Sequence, residues 1–211
     1  MFFPYRDDNP SRSFPVMTIL LIVVNMVVFV TFGLRPDYEA IVHEYGFIPG
    51  RFNTLSFFTS MFLHGGWFHL IFNMWYLWLF GDNLEDRMGK LGFLGFYLLG
   101  GIFASLLHSA FSNEVMKTVP CVGASGAISA VMGGYVILFP HAKVRVVILF
   151  FYNIIRFRWP AFVFLGIWFV EQLWAGGGTM LNVEASPVAY WAHIGGFVFG
   201  VGGAFIARLL V

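Results

Sequence analysis

Charge is what this chain lacks most. Asp, Glu, Lys and Arg together make up 11% of its 211 residues, where a water-soluble domain carries about 25%. Hydrophobic residues reach 59% and mean hydropathy is +0.78, so a soluble globule is excluded as the class. There is one cysteine, Cys121, which rules out an internal disulfide and a cysteine-built zinc site. A net charge of +1 leaves no basic face for nucleic acid. No His-Glu-x-x-His stretch and no pair of aspartates within apolar segments occurs, which removes the intramembrane metalloprotease and aspartyl classes. His64, His69 and His193 have no carboxylate or cysteine at usable spacing to complete a ligand set, so neither metal nor organic cofactor is expected. The N-terminal stretch is not expected to be a cleavable leader. Pro4 to Pro15 is polar and no small-residue cleavage site follows the first apolar run, which is therefore expected to stay as a span.

What the chain has is apolar and aromatic. Aromatics make up 20%, with 27 Phe, as expected of side chains that face lipid and its interfaces. Six segments come close to the ~20 residues that a ~30 Å hydrocarbon core requires: Val16–Phe32, His64–Phe80, Leu91–Ala110, Ala124–Phe139, Pro160–Ala175 and Ala189–Leu210. The expected fold is all-α, a polytopic six-helix membrane bundle forming one domain over residues 1–211. Residues 1–15 are then a cytoplasmic tail and 33–60 an external loop resting at the interface. Val144–Ile155 is apolar but short, bracketed by Lys143, Arg145, Arg156 and Arg158, and is expected to lie along the membrane surface. With both termini in the cytoplasm, nine basic residues fall inside and three (Arg35, Arg51, Lys117) outside, the asymmetry that sets orientation. Short tails and the absence of a transit peptide favour a bacterial inner membrane.

This topology places the polar side chains at one depth. His64, His69 and Asn73 open the second span, Ser125 the fourth and His193 the sixth, all in the outer part of the membrane. The channel or transporter class predicts polar groups down the full depth, whereas the inner halves are apolar. The fourth span is short, so a loop from about Ser112 to Gly123 must dip to meet it. Irregular backbone at that depth needs surrounding protein or a water-filled cavity, and a hydrolase needs that water. Ser125, Ser129 and Gly133 recur every four residues beside Gly126, Ala130 and Gly134; Ala192, Gly196, Gly200 and Ala204 do the same. Such small-residue stripes let helix backbones approach closely, with Gly196 and Gly200 as packing positions. The seam accounts for the glycines but not for a histidine within it.

Gly123-Ala124-Ser125-Gly126, Ala192-His193-Ile194-Gly195-Gly196 with Gly200, and His64-Gly65-Gly66-Trp67-Phe68-His69 through Asn73 resemble the signature stretches of rhomboid intramembrane serine proteases. Glu85-Asp86-Arg87-Met88-Gly89 is similar to the family's acidic-x-Arg-x-Gly turn. The resemblance implies a six-helix core, cleavage of other proteins' transmembrane segments, and a Ser–His dyad with no acidic third member. It makes Ser125 the nucleophile and His193 the base and acid, with His69, Asn73 and the Ser125 backbone N–H as the oxyanion hole. Spacing of i, i+4 puts His69 and Asn73 on one helix face. His64 matches a structural histidine of the family. The chain departs from the pattern at Ser129, where many rhomboids carry a tyrosine that stacks on the histidine. Tyr190, Trp191 or a ring from another span is expected to orient His193 instead. Cys121 is the weaker nucleophile candidate, since Ser125 has the helix start and the flanking glycines. Glu171 and Gln172 receive a bland reading, with Glu171 reaching the interface or staying protonated and hydrogen-bonded, and His43, His108 and His141 are expected to be solvated at the membrane edges. The rival function is a non-proteolytic rhomboid relative that binds or sorts membrane proteins; such relatives usually lack the serine or the histidine.

Overall fold

The computed structural model describes residues 2–51, 53–150, 153–181 and 188–209. It is a helical bundle with a small sheet against one half of its flank. Helix α1 (Val16–Val28) continues through a π-turn at Phe29–Gly33. Two short helices, α2 (Tyr38–Tyr45) and α3 (Ser56–Thr59), follow in the expected external loop. Then come α4 (Trp67–Met88), α5 (Lys90–Phe111), α6 (Ser125–Leu138), α7 (Ala161–Leu181) and α8 (Tyr190–Leu209). Among the described residues, four helical stretches are long and apolar enough to cross a membrane: Val16–Gly33, Lys90–Phe111, Ala161–Thr179 and Tyr190–Arg208. Helix α4 has the length, but Asp82, Glu85, Asp86 and Arg87 crowd its last two turns. It begins three residues later than expected, leaving His64 in the preceding loop, and ends at Met88 rather than Phe80.

Helix α6 is the axis of the bundle. Every residue from Gly126 to Tyr135 is buried, as befits a helix that is apolar on all sides. Its small residues let α8 come close. A Cβ on Gly196 would collide with the Gly126 carbonyl oxygen, and one on Gly200 with that of Ala130. The seam therefore runs along Gly126 and Ala130, one residue away from the Ser125–Ser129 stripe, which turns that stripe towards the site. At 14 residues, α6 is roughly 21 Å long, short of a full hydrocarbon core.

Strands that were not anticipated occur in the first residues and after α6. The tail expected over 1–15 contains strand β1 (Phe2–Asp7), and the segment expected along the surface at 144–155 belongs to strands β2 (Lys143–Phe150) and β3 (Asn153–Pro160). Residues 151 and 152 lie outside the described residues. The strands form an antiparallel sheet in the order β1-β2-β3, with Arg6, Arg145 and Arg158 directly opposite one another. The cause is legible in Lys143-Val144-Arg145-Val146, an alternation that turns Val144 and Val146 into the core, both fully buried, and the arginines out. Strand β1 runs beside α4. The Phe3 ring stacks on Trp75 at 5.3 Å, Trp75 Nε1–H donates to the Pro4 carbonyl at 2.7 Å, and Asn83 Nδ2 donates to Asp7 at 3.3 Å.

At this end the carboxylates of Glu85 and Asp7 are paired. Pro15 caps α1 without a side-chain oxygen, so the first N–H groups of the helix need another acceptor. Buried Glu85 supplies it, accepting from the N–H groups of Met17 (2.9 Å) and Thr18 (2.8 Å) and the Thr18 hydroxyl (2.9 Å). A carboxylate at a helix N-terminus also meets the positive end of its dipole. Tyr135 on α6 donates its hydroxyl to Asp7 at 2.6 Å. Burial of Asp7 pushes its carboxyl up to about 6, against the lowering effect of the Tyr135 bond.

Candidate active site

Ser125 is the first residue of α6, and the loop before it is fastened from both sides. Cys121 exchanges backbone hydrogen bonds with Phe47 (2.7 and 3.0 Å), and Gly123 N–H donates to the Ser60 carbonyl at 2.8 Å. Gly123 has φ +126°, a conformation that side chains with a Cβ avoid. Space excludes a side chain there as well: a Cβ would come within 2.6 Å of His69 Nε2 and 3.7 Å of Asn73 Nδ2. The glycine thus brings both α4 groups up against the strand of backbone that leads into Ser125.

Ser125 Oγ lies 2.9 Å from His193 Nε2. Side chains on α6 and α8, 68 residues apart in sequence, meet at hydrogen-bond distance because the glycine seam below them holds the two helices together. On the far side of the ring, His193 Nδ1 is 2.7 Å from Gln172 Oε1 on α7. Trp168, also on α7, lies beside the imidazole at 6.0 Å between centroids and 33° between planes. Tyr190 meets it edge-on at 6.5 Å, while Trp191 stacks on Phe111 at 4.3 Å and 11°. Of the rings anticipated around His193, the flattest neighbour is therefore the one from another span. Ser129, in the place of the family's tyrosine, donates its hydroxyl to the Ser125 carbonyl at 2.7 Å.

Gly65 N–H donates to His69 Nδ1 at 3.3 Å. A neutral imidazole that accepts at one nitrogen carries its proton on the other, so His69 presents an Nε2–H towards Gly123. Asn73 is buried, and its Nδ2 has no hydrogen-bond partner among the described residues. His64 is buried with its ring edge-on to His69 at 5.1 Å, and Tyr38 donates to its carbonyl at 2.8 Å. A cavity of about 660 Å³, bordered by His69, Asn73, Ser125, Trp168 and His193, opens in front of these groups. That volume fits a ligand-sized site.

The structure corrects one histidine. His108, expected to be solvated, is 4% exposed and lines the same cavity. It continues the inward stripe Phe93, Tyr97, Gly100, Ala104 on α5, a helical periodicity that could have placed it. His43, His141 and Glu171 are exposed. Gln172 received only a bland reading from sequence, and Trp168 was not singled out. An amide on the otherwise apolar inner stripe of α7 was the available signal. Cys121 lines the cavity too, but the His193 ring faces Ser125. No cluster of three or more His, Cys, Asp or Glu able to hold a metal ion occurs among the described residues.

Comparison with known proteins agrees with this architecture. The chain is 30% identical to mitochondrial Rhomboid protein 1 of Saccharomyces cerevisiae, over 94% of this chain and 54% of that protein. It is 28% identical to the mitochondrial Presenilin-associated rhomboid-like protein A of Danio rerio, over 86% of this chain and 45% of the relative. With Rhomboid protease GlpG of Salmonella paratyphi A the identity is 25%, covering 98% and 68%. The chain thus spans about half the length of the two mitochondrial relatives. Because mitochondrial and bacterial proteins both match, the expected bacterial inner membrane is not favoured over a mitochondrial one. The rhomboid domain family model matches residues 51–209, and the chain belongs to the rhomboid family.

Proposed function

We propose that the protein is an active intramembrane serine endopeptidase that cleaves transmembrane segments of other membrane proteins. The single observation that carries this is the 2.9 Å approach of Ser125 Oγ to His193 Nε2 at the edge of a cavity where two further donors converge. The bundle crosses the bilayer six times with both termini on the basic side, and the site lies in the opposite half.

The mechanism follows from the proton positions. With Nδ1–H donated to Gln172, His193 Nε2 is free to accept the Ser125 hydroxyl proton as Oγ attacks the scissile carbonyl carbon. The carbonyl oxygen becomes an oxyanion, which Asn73 Nδ2, His69 Nε2–H and the Ser125 backbone N–H stabilise; the last also sits at the positive end of the α6 dipole. The unpartnered Asn73 amide suits this role, since a donor already engaged would have to give up one bond to make another. His193 then returns its proton to the departing amine, leaving an acyl-enzyme on Ser125. Water then gives a proton to Nε2 as it attacks the ester, and His193 passes that proton to Ser125 Oγ as the acyl–oxygen bond breaks and the acid leaves. A substrate helix must first unwind to offer a carbonyl, because a helix keeps its peptide groups in its own hydrogen bonds. Small residues at the cut, with helix-breaking Gly or Pro beyond, are the expected preference.

The test is reconstitution in liposomes with a labelled single-span substrate. Ser125→Ala and His193→Ala should each abolish cleavage, while EDTA should leave it unchanged. Metal dependence, or full activity in either variant, rejects the mechanism; binding of the substrate without cleavage by the unmodified chain would favour a sorting role.

A further inference from the structure

We infer that Gln172 is a positioning residue for His193, a neutral third member that fixes the tautomer of the base; this rests on the proposed Ser125–His193 dyad. The inward stripe of α7 is otherwise apolar or small at Leu165, Trp168, Phe169 and Gly176, and the Phe169 ring stacks on Phe197 of α8 at 4.5 Å. Gln172 interrupts that stripe and is 6% exposed, while its neighbours Glu171, Leu173 and Trp174 face outward. A primary amide buried in a membrane helix is costly unless it is hydrogen-bonded. Its carbonyl oxygen finds His193 Nδ1 at 2.7 Å, on the side of the ring opposite Ser125.

The consequence is chemical. An amide oxygen accepts and cannot donate, so the imidazole proton is held on Nδ1 and the lone pair of Nε2 is aimed at Ser125 Oγ. When His193 takes up the serine proton, Nδ1–H remains bonded to Gln172 and the imidazolium meets a dipole instead of a carboxylate. The bond also fixes the ring plane, the task given elsewhere in the family resemblance to a tyrosine at the position of Ser129. Among the described residues no carboxylate faces His193: α4 offers His69, α5 offers His108, α8 offers Tyr190, and Glu171 on α7 is turned away. The ionisation of the base is therefore open to whatever group stands at position 172.

Three variants of the full-length protein in liposomes test this. Gln172→Leu keeps the bulk and removes the acceptor; kcat should fall about 10- to 100-fold, the scale of a misplaced catalytic group, with KM unchanged. Gln172→Glu restores an acceptor of the same length, so kcat should recover towards that of the unmodified protein. Its negative charge favours the imidazolium, so the acid limb of the kcat profile should move to higher pH. Gln172→Asn is too short to reach and should behave like the leucine variant. Independently, the ¹⁵N spectrum of His193 should show Nδ1 protonated in the unmodified protein and a tautomer mixture in Gln172→Leu. Unchanged kcat and an unchanged tautomer in Gln172→Leu, or a Gln172→Glu profile with no shift, overturns the inference even if Ser125→Ala is inactive. Activity retained in Ser125→Ala is the separate result that removes the dyad itself. If Gln172→Leu does not fold, the pH shift of Gln172→Glu and the tautomer in the unmodified protein decide the question.

Discussion

The two halves of the bundle treat their polar groups differently. In the half that carries the sheet, buried Glu85 accepts three hydrogen bonds from the start of α1, half-buried Asp7 takes the Tyr135 hydroxyl, Asp86 accepts exposed hydrogen bonds from Arg12 and Ser13, and the Asn9 amide nitrogen has no partner among the described residues. In the site half, Asn73 Nδ2, His108 Nδ1 and both ring nitrogens of His64 have no partner among the described residues. An unpaired buried donor costs about 1–3 kcal/mol, so the site half is held in place by the rest. On the proposed mechanism Asn73 is left for a substrate while Glu85 builds the fold, so substitutions at the two should differ in what they cost.

The largest effect is expected at the dyad. Ser125→Ala or His193→Ala should lower the cleavage rate by at least about 10⁴-fold, with the melting temperature in detergent unchanged or raised. Next comes Asn73→Ala, which should cost about 10²–10³ in kcat and no stability, because it deletes an orphaned donor. A marked drop in its melting temperature would blur the line between the halves. In the sheet half, Glu85→Ala strands the first N–H groups of α1 and should cost about 3 kcal/mol, roughly 6–12 °C for a chain of this size. The molecules that remain folded should cleave at the ordinary rate; a loss in kcat equal to that of Asn73→Ala would erase the distinction. The smallest effect is a pH dependence. The carboxyl of Asp7, raised from 3.8 to about 6 by burial, favours the protonated form in the folded chain. Its contribution is thus fully present below about 4 and lost as pH rises through about 6. The melting temperature of the unmodified protein relative to Asp7→Asn should fall over that window and stay level above it. A flat difference would mean that Asp7 is solvated.

Particular residues show what sequence could and could not disclose. The helices were legible because apolar runs of near-bilayer length leave little choice, and Ser125, His193, His69 and Asn73 were singled out because polar residues are conspicuous in such runs. The structure brings these four to one cavity. The sheet was hidden because Val144–Ile155 was weighed by its hydrophobicity, although Lys143-Val144-Arg145-Val146 alternates. Its partner strand, Phe2–Asp7, comes from the other end of the chain, and pairing across about 140 residues leaves no local mark. Gln172 was passed over for a related reason. An amide on one turn of α7 says nothing about a ring on α8 until the two helices are packed, and that packing is set by glycines on α6 and α8.

Strand β1 is made before the strand it pairs with and is fixed late. Phe2 to Asp7 can dock only when Val144 to Ile148 has followed it, after most of the helices have been synthesised. Until then the opening residues have no ladder to join, and the gap beside α4 at Trp75 stands open. Completion of the fold therefore waits on a long-range closure between Phe2–Asp7 and the β2–β3 hairpin. A bulky insertion immediately before Phe2 should interfere with that closure, not with the insertion of any helix.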